Sequence, residues 1–274
     1  ERLVTSANQY ARVVTETALV ISRSTGDVVR DRTWADNRLV LQSVPDHPVV
    51  AEVVAKWEAL ADVVAGNVIG TIAEDITGDA GGDRGIETPM ANLVADSILW
   101  GTSAEEDGGA QISFMNVGGV RASLLYDQIS NDEEPGEVTY QEAYNVMPFG
   151  NILVSIDLTG ADLKAVLEQQ FVSSRGRQYL ALGVSEGFTY TWDDSQPEGS
   201  KVGDMVLDGE PIDPAETYRI STLNFLAEGG DNFEAFTNGT NLLGGPEDLG
   251  NLVGYLGDNP GLTAPDARRQ VITP

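Results

Sequence analysis

Residues 111–121 read QISFMNVGGVR, a short apolar run that ends in a turn with two adjacent glycines. Such a run is typical of a buried strand. Open α/β sheets commonly hold ligands where a strand passes into a glycine-rich turn. Asn116 and Arg121 flank Gly118 and Gly119, and a guanidinium can hold a carboxylate or phosphate through two hydrogen bonds. We therefore predict a buried strand followed by a ligand-binding turn.

Helix and strand patterns lie on both sides of this turn without strict alternation. Before it, Thr88 and Pro89 predict a helix start, with Thr88 as the N-cap. The core side chains expected on this helix are Leu93, Val94, Ile98 and Leu99. After the turn, a capping-box pattern at residues 159–162 predicts a second helix. Further strands are expected at residues 152–158, 188–192, 206–207 and 218–222, and a short helix at about 246–256. The mixture predicts an α/β or α+β fold, a mixed sheet with flanking helices.

The N-terminal residues carry a different pattern. Short β-like pieces at residues 11–14 and 17–22 precede a turn at 24–27 and Val28-Val29. A helix is expected from Pro48 to Ala65, because apolar residues recur there at three- and four-residue steps. These residues are Val50, Val53, Val54, Trp57, Leu60 and Val64. The moderate amphipathicity of this segment is typical of a connecting helix.

The composition is strongly acidic. The 274 residues include 16 Lys and Arg against 43 Asp and Glu, which gives a formal charge of -27. General binding to DNA or RNA depends on neutralising phosphates with basic side chains, so we expect no nucleic-acid polymer as a partner. An apolar share of 41% with 22% charged residues excludes a disordered chain. The absence of Cys excludes disulfides, thiolate metal sites and a cysteine nucleophile.

The sequence contains no complete catalytic set. His47 is the single histidine, and a two-metal phosphoesterase site needs several His and Asp ligands; we expect His47 at the surface or at a helix start. A Ser-His-Asp triad would also depend on His47, and the sequence has no Gly-x-Ser-x-Gly turn to offer a nucleophile. Residues 78–85 lack the Gly-Lys-Ser/Thr ending of a phosphate loop and predict a mobile loop. The acidic residues 131–134 lack the ligand spacing of an EF-hand and predict a solvated loop.

Two features concern location. No run approaches the roughly 18 apolar residues of a membrane span, so we expect no span in this segment. The start at Glu1 lacks an initiator Met and a signal peptide, which indicates a piece of a longer protein. Only three of the 16 basic residues are Lys, and such a carboxylate-dominated surface suits an extracellular, cell-surface or periplasmic protein.

Two aromatic side chains lie in segments typical of loops. Phe149 belongs to the stretch MPFGN, between a proline and a glycine, and Phe225 belongs to NFLAEGGD. Two such rings can enclose a planar base, and each stacking contact contributes about 1–3 kcal/mol. The alternative is that both are ordinary core residues. Composition alone leaves both interpretations open.

Four blocks in fixed order resemble the C-terminal domain of the 5′-nucleotidase family, which includes UDP-sugar hydrolases and ecto-5′-nucleotidases. The blocks are residues 87–96 (ETPMANLVAD), 116–121 (NVGGVR), 148–151 (PFGN) with the following 158–160 (LTG), and 224–231 (NFLAEGGD). The resemblance extends from about residue 68 to the end. Any one block is weak, but four in sequence are specific.

The resemblance implies roles for particular residues. Phe149 and Phe225 would stack on the base, and Asn151 and Asp231 would bond the ribose hydroxyls or the base edge. The remaining implied residues are Arg84 and Arg121 at the phosphate or sugar, Asn116 and Gly118 shaping the pocket, and Gly183 on the base side.

The resemblance also implies three regions. Residues 1–36 would be terminal strands of a metallophosphatase domain, 37–67 an interdomain helix, and 68–274 the nucleotide-binding domain with its four-layer architecture. The Asp-x-His and Gly-Asn-His metal motifs are absent and would lie before residue 1. Two divalent ions, Zn, Mn or Mg, are thus expected in a preceding domain in cis, and none in this chain.

The implied function is recognition of a nucleoside or nucleotide within a metal-dependent 5′-nucleotidase, a phosphoric monoester hydrolase. This chain alone would have no catalytic residue and would be inactive. Two alternatives stay open: a non-catalytic nucleoside-binding or surface-interaction module, and the same enzyme class acting on UDP-sugars or 2′,3′-cyclic nucleotides. The oligomeric state also stays open.

Overall fold

The chain divides into two units, Glu1–Leu60 and Ala61–Pro274, in a computed structural model. The structure describes residues 3–8, 10–78, 82–130 and 132–272. Residues 79–81 and 131 lie outside this range, and with them part of the loop predicted at 78–85 and of the acidic stretch 131–134.

The smaller unit contains one antiparallel strand pair. Strand β1 (Val13–Ala18) pairs with β2 (Trp34–Leu39) from Val13 opposite Leu39 to Ala18 opposite Trp34. Strand β1 joins the end of the piece predicted at 11–14 to the start of the piece predicted at 17–22, so their separation into two strands is wrong, and residues 11–12 and 19–22 lie outside the strand. Strand β2 was not predicted, since its sequence WADNRL is largely polar and has no apolar alternation. It also extends beyond residue 36, where a region boundary was expected.

Helix α1 (Pro48–Ala65) has the predicted bounds. Its first turn begins with a hydrogen bond of 2.9 Å from Ala51 N to the carbonyl oxygen of His47, and the His47 side chain is exposed, as expected. None of the residues of α1 is buried. The apolar side that was predicted for this helix is therefore solvent-facing in the structure.

The larger unit holds the remaining elements. Its helices are α2 (Pro89–Trp100), α3 (Tyr140–Val146), α4 (Gly160–Glu168), α5 (Asn224–Ala227) and α6 (Asp248–Asp258). Its strands are β3 (Val68–Thr71), β4 (Ile112–Asn116), β5 (Glu137–Thr139), β6 (Ile152–Thr159), β7 (Leu182–Val184), β8 (Phe188–Trp192), β9 (Val202–Leu207), β10 (Glu210–Pro211), β11 (Thr217–Leu223), β12 (Thr240–Glu247) and β13 (Arg269–Val271).

The strands form a five-stranded sheet, a four-stranded sheet and a small pair. The order in the five-stranded sheet is β12-β6-β11-β4-β7, and only β11 and β4 run parallel. The four-stranded sheet has the order β10-β9-β8-β13, with β8 and β13 parallel. Strands β3 and β5 pair antiparallel. The predicted mixed α/β fold is confirmed.

Strand β4 lies inside the five-stranded sheet and is buried along its whole length. Successive side chains of a strand point to opposite faces. Accordingly Met115 packs in a core with Leu93 of α2 and Leu252 of α6. Phe114 packs in a second core with Leu163 of α4 and Tyr190 of β8. The sheet thus separates two cores, and the end of β4 is held from both sides.

The helix caps follow the sequence closely. Thr88 Oγ1 accepts a hydrogen bond of 3.3 Å from Ala91 N at the start of α2, and both arms of the capping box at Thr159 and Asp162 are present in α4. Of the expected core side chains of α2, only Leu99 is half-buried rather than buried. The helix expected at about 246–256 begins instead at Asp248, because residues 246–247 still belong to β12, where Glu247 pairs with Ile152 of β6.

Candidate functional site

The turn after β4 is closely packed by neighbouring side chains at one of its two glycines. Gly119 N donates to the carbonyl oxygen of Asn116 at 2.8 Å. A Cβ at Gly119 would lie 2.6 Å from Met115 Cε and 2.8 Å from Asn116 Oδ1, closer than real side chains approach. A Cβ at Gly118 would meet only an ordinary contact, 3.4 Å from Asp231 Oδ2. A glycine at 119 therefore avoids a clash within the turn, whereas Gly118 leaves space beside Asp231.

A cavity of about 390 Å³ opens beside this turn. It is lined by Asn116, Gly118, Gly119, Phe149, Asn151, Leu223, Phe225 and Asp231. Six of these eight residues were predicted from the sequence, and they come from segments that are distant in the chain. We refer to this space as the aromatic cavity.

The two phenylalanines of the aromatic cavity are exposed. Phe149 has 58% and Phe225 has 41% of its surface accessible. These values exclude the alternative that both rings are ordinary core residues. Apolar rings are left accessible to a ligand in this cavity, which is a common property of small-molecule sites.

Asp231 is held in the cavity wall by two bonds. Its Oδ2 accepts from Asn116 Nδ2 at 2.8 Å, and its backbone carbonyl accepts from Arg175 Nη1 at 2.9 Å. The backbone of Asp231 has φ of 55°, in the left-handed region that costs free energy for a residue other than glycine. The surrounding hydrogen bonds compensate for this cost.

Arg175 is a residue that the sequence patterns did not reveal. Besides Asp231, its guanidinium donates to the backbone carbonyls of Gln170, Arg177 and Gln178 at 2.8–3.1 Å. Burial lowers the pKa of Arg175, and the nearby charge of Asp231 opposes this shift. No motif marks this arginine, because its partners are backbone atoms that only the folded chain brings together.

Asp248 is the second missed residue. Its Oδ2 accepts from both the backbone N and the side-chain Nδ2 of Asn151, each at 3.0 Å. Burial raises the pKa of Asp248, while the bonds from Asn151 oppose the rise. The residue lies 97 positions after Asn151 in the chain. A helix start was expected in this region, but a contact with the PFGN block was not.

A second cavity of about 360 Å³ lies against the same turn, and its lining includes Val117, Val120, Arg84 and Arg121. Arg84 Nη1 donates to the carbonyl oxygens of Val117 and Val120 at 2.8 and 3.3 Å. Arg121 Nη1 donates to the carbonyl oxygen of Gly118 at 3.0 Å. The predicted arginines thus both lie at the turn and bring positive charge to it.

Arg121 also contacts the aromatic cavity. The centre of its guanidinium lies 5.7 Å from the centre of the Phe149 ring, a cation–π distance. Because the same side chain lines the second cavity, Arg121 connects the two spaces.

Gly183 is not among the residues that line either cavity. It lies in β7 opposite Met115, and a Cβ there would be 2.4 Å from the carbonyl carbon of Ala91 in α2. The expected base-side position of Gly183 is therefore corrected: close packing of β7 against α2 requires a glycine here.

Metal ligands are not grouped in the part of the chain that the structure describes: no set of three or more His, Cys, Asp and Glu side chains is placed there to hold a metal ion. No helix in the described ranges has the length and apolar content to cross a bilayer.

The mixed α/β fold and the cavity at a glycine turn define a ligand-binding α/β domain. A family model described as 5′-nucleotidase, C-terminal domain, matches residues 68–238. The chain belongs to this family, and the resemblance seen in its sequence blocks is confirmed.

Individual relatives agree with this assignment. Endonuclease YhcR of Bacillus subtilis is 30% identical over 93% of this chain and 19% of its own length. Protein UshA of Escherichia coli is 31% identical over 57% of this chain and 24% of its own length. A crystal structure of a 5′-nucleotidase precursor from Thermus thermophilus matches with a TM-score of 0.70 and 27% identity, covering 96% of this chain and 50% of that chain. The chain thus spans less than a quarter of these two curated relatives.

Proposed function

We propose that the larger unit binds the nucleoside part of a nucleotide in the aromatic cavity, within a longer 5′-nucleotidase. The observation that carries this proposal is the pair of exposed rings, Phe149 and Phe225, in one cavity with Asp231. A planar base between aromatic faces gains about 1–3 kcal/mol for each stacking contact. A carboxylate beside the base is a natural acceptor for the ribose hydroxyls.

The phosphate is proposed to lie toward Arg121 and Arg84. The chain carries a net charge of -27, so an anionic ligand needs a local cluster of positive charge to overcome the general repulsion. Support comes from the position of Arg121, which contacts Phe149 and also lines the arginine-containing cavity. A ligand with its base at Phe149 would place an attached phosphate within reach of this guanidinium.

The complete protein is proposed to be a phosphoric monoester hydrolase that releases a nucleoside and phosphate. Two divalent ions, Zn, Mn or Mg, held by a metallophosphatase domain in cis, would supply the Lewis acid and the activated water. This chain would bind and orient the substrate. Its contribution to catalysis would be to position the substrate, and the chain alone would not hydrolyse it.

A relative named as an endonuclease makes a nucleic-acid substrate the second candidate. The charge of -27 favours a small nucleotide, because a long polyanion gains affinity from many basic contacts and this chain has 16 Lys and Arg against 43 acidic residues. UDP-sugars and 2′,3′-cyclic nucleotides also carry a base and stay within the proposal. A non-catalytic binding module would keep the aromatic cavity but show no turnover in the complete protein.

We also propose an extracytoplasmic location, supported by the carboxylate-rich composition with only three Lys. Fractionation of the source cells with an antibody against this chain tests it. Recovery in the cytosolic fraction would contradict the proposal.

Calorimetry of the 274-residue chain with adenosine and AMP tests the binding function. We expect saturable binding of both ligands, and a loss of about tenfold or more in affinity for Phe149→Ala and for Phe225→Ala. Tyr144→Ala is the matched control, because it removes an exposed aromatic side chain that does not line the aromatic cavity. No binding at millimolar ligand, or equal binding by the phenylalanine variants, would refute the proposal.

A release assay on the complete protein tests the catalytic part. We expect phosphate release from AMP with added Mn²⁺, Mg²⁺ or Zn²⁺ and none from this chain alone. A panel with UDP-glucose, 2′,3′-cyclic AMP and single-stranded DNA then ranks the substrate classes.

A further inference from the structure

The amide of Asn151 is held on one side by a buried carboxylate. Asp248, with 2% of its surface accessible, accepts two hydrogen bonds from Asn151, one from the backbone N and one from Nδ2. In return Asp248 N donates to the carbonyl oxygen of Asn151 at 2.9 Å. The remaining carboxylate oxygen, Oδ1, accepts from Leu249 N at 2.7 Å. Both carboxylate oxygens of Asp248 therefore already accept hydrogen bonds within the protein.

This contact decides which end of the amide is available to a ligand. An ionised carboxylate only accepts hydrogen bonds, so it requires the NH₂ group of Asn151 and repels its oxygen. Turning the amide over would place Asn151 Oδ1 about where Nδ2 now lies, against Asp248. Asn151 lines the aromatic cavity. Its amide therefore presents Oδ1 as an acceptor in a fixed orientation, and the only donor that it keeps is the second hydrogen of Nδ2, which is not given to Asp248.

Asp231 also offers hydrogen-bond acceptors in the aromatic cavity. Asp231 is a carboxylate, and Asn116 already donates its Nδ2 to it. Asn116 Oδ1 is buried, and no donor of the described residues reaches it. Asp231 and Asn151 Oδ1 therefore offer acceptors to a ligand, and N–H or O–H donors of the ligand satisfy them.

We propose that Asp248 is a positioning residue that keeps Asn151 an acceptor, so that the aromatic cavity selects bases with an exocyclic amino group, such as adenine. This inference rests on the proposed nucleoside binding. A site built to bond a particular group discriminates strongly against an analogue that lacks it, because its buried polar atoms are then left unpaired. Purine riboside has no N–H on its base. Inosine carries an oxygen in place of the amino group and an N–H at ring position 1, so its donor and acceptor are exchanged relative to those of adenine.

Calorimetry of the 274-residue chain with adenosine, purine riboside and inosine tests the inference. For the wild-type chain we expect adenosine to bind about tenfold more tightly than purine riboside, and more tightly than inosine, whose donor and acceptor are exchanged. In the Asp248→Asn variant we expect the affinities for the three nucleosides to differ by no more than about threefold. An amide at this position both donates and accepts, so it can bond the Asn151 amide in either orientation. If that variant does not fold, Asp248→Ser offers a hydroxyl that also donates and accepts. Asn151→Leu should abolish the preference as well.

Asp204→Asn is the control, because it makes the same chemical change at an exposed residue of β9 and should keep the wild-type ratios. Equal binding of the three nucleosides by the wild-type chain overturns the inference and leaves the proposed function intact. A preference that persists in the Asp248 variant also overturns it. If no nucleoside binds at all, the proposed function fails, and this inference fails with it.

Discussion

Asn116 Nδ2 donates a hydrogen bond of 2.8 Å to Asp231 Oδ2, and this bond joins the end of β4 to the loop that follows α5. The two residues are 115 positions apart. The bond orients the carboxylate beside Gly118, where no side chain fills the space. The shape of the aromatic cavity therefore depends on this connection.

Replacing Asp231 by Ala removes an acceptor for ribose hydroxyls and the partner of Asn116. We expect affinity for adenosine to fall by about 10- to 100-fold, since hydrogen bonds to a charged group contribute about 1.5–3 kcal/mol. Affinity for 2′,3′-dideoxyadenosine should change little in the same calorimetric experiment. An equal loss for both ligands would show that Asp231 acts on the cavity as a whole and does not bind the ribose.

The two glycines of the turn should respond differently to Ala. Gly119→Ala places a methyl group 2.6 Å from Met115 Cε, and we expect overpacking to lower the free energy of unfolding by about 1–3 kcal/mol. Gly118→Ala should leave the stability almost unchanged but weaken adenosine binding, because the methyl group enters the aromatic cavity. Thermal unfolding and calorimetry of both variants check this contrast. Equal stabilities of the two variants would contradict it.

Arg175→Gln should weaken adenosine binding although Arg175 does not line the aromatic cavity. Four backbone carbonyls lose their guanidinium donor, including that of Asp231, whose left-handed backbone then lacks support. We expect a loss of about 3- to 10-fold in affinity and a lower unfolding temperature. Arg177→Gln is the control, since its exposed side chain belongs to the same loop. Wild-type affinity in the Arg175 variant would exclude a role in holding Asp231.

Because of the capping box of α4, we expect the free energy of unfolding to vary with pH in the acidic range. The hydrogen bond from Thr159 is the main cause that lowers the pKa of Asp162 below its ordinary 3.8, and Asn238 contributes as well. The folded state therefore holds the ionised form more strongly than the unfolded state does. This stabilisation is complete above the unfolded pKa and is lost as pH falls through the lower folded pKa.

Thr159→Ala tests this dependence. At neutral pH we expect it to cost about 0.5–2 kcal/mol of unfolding free energy, the range for loss of an N-cap. Chemical denaturation across a pH series should show the difference from the wild-type chain shrinking below about pH 3.8. A difference that stays constant through this range would rule out Asp162 as the titrating partner.

Local patterns predicted the helices well where the chemistry is local. The bounds of α1, the Thr88 cap and the Thr159 capping box depend on residues three or four positions apart, so the sequence contains all the information needed. Strand β2 was missed because its pairing with β1, and not its own pattern, makes it a strand. Residues 246–247 were assigned to a helix although β6 holds them in β12.

Within the site, the sequence alone determined the chemical parts: a glycine turn, two loop phenylalanines and the polar residues of four family blocks. Six of the residues predicted for the site line the aromatic cavity, and Arg84 and Arg121 line the second one. Only the tertiary structure decided that Arg175 supports Asp231, that Asp248 orients Asn151, and that Gly183 packs against α2. These contacts join residues that are far apart in the chain or involve backbone atoms, and no spacing rule encodes them. The two polar contacts form because most buried polar groups in a folded protein find a hydrogen-bond partner. Gly183 is needed because β7 lies close to the backbone of α2.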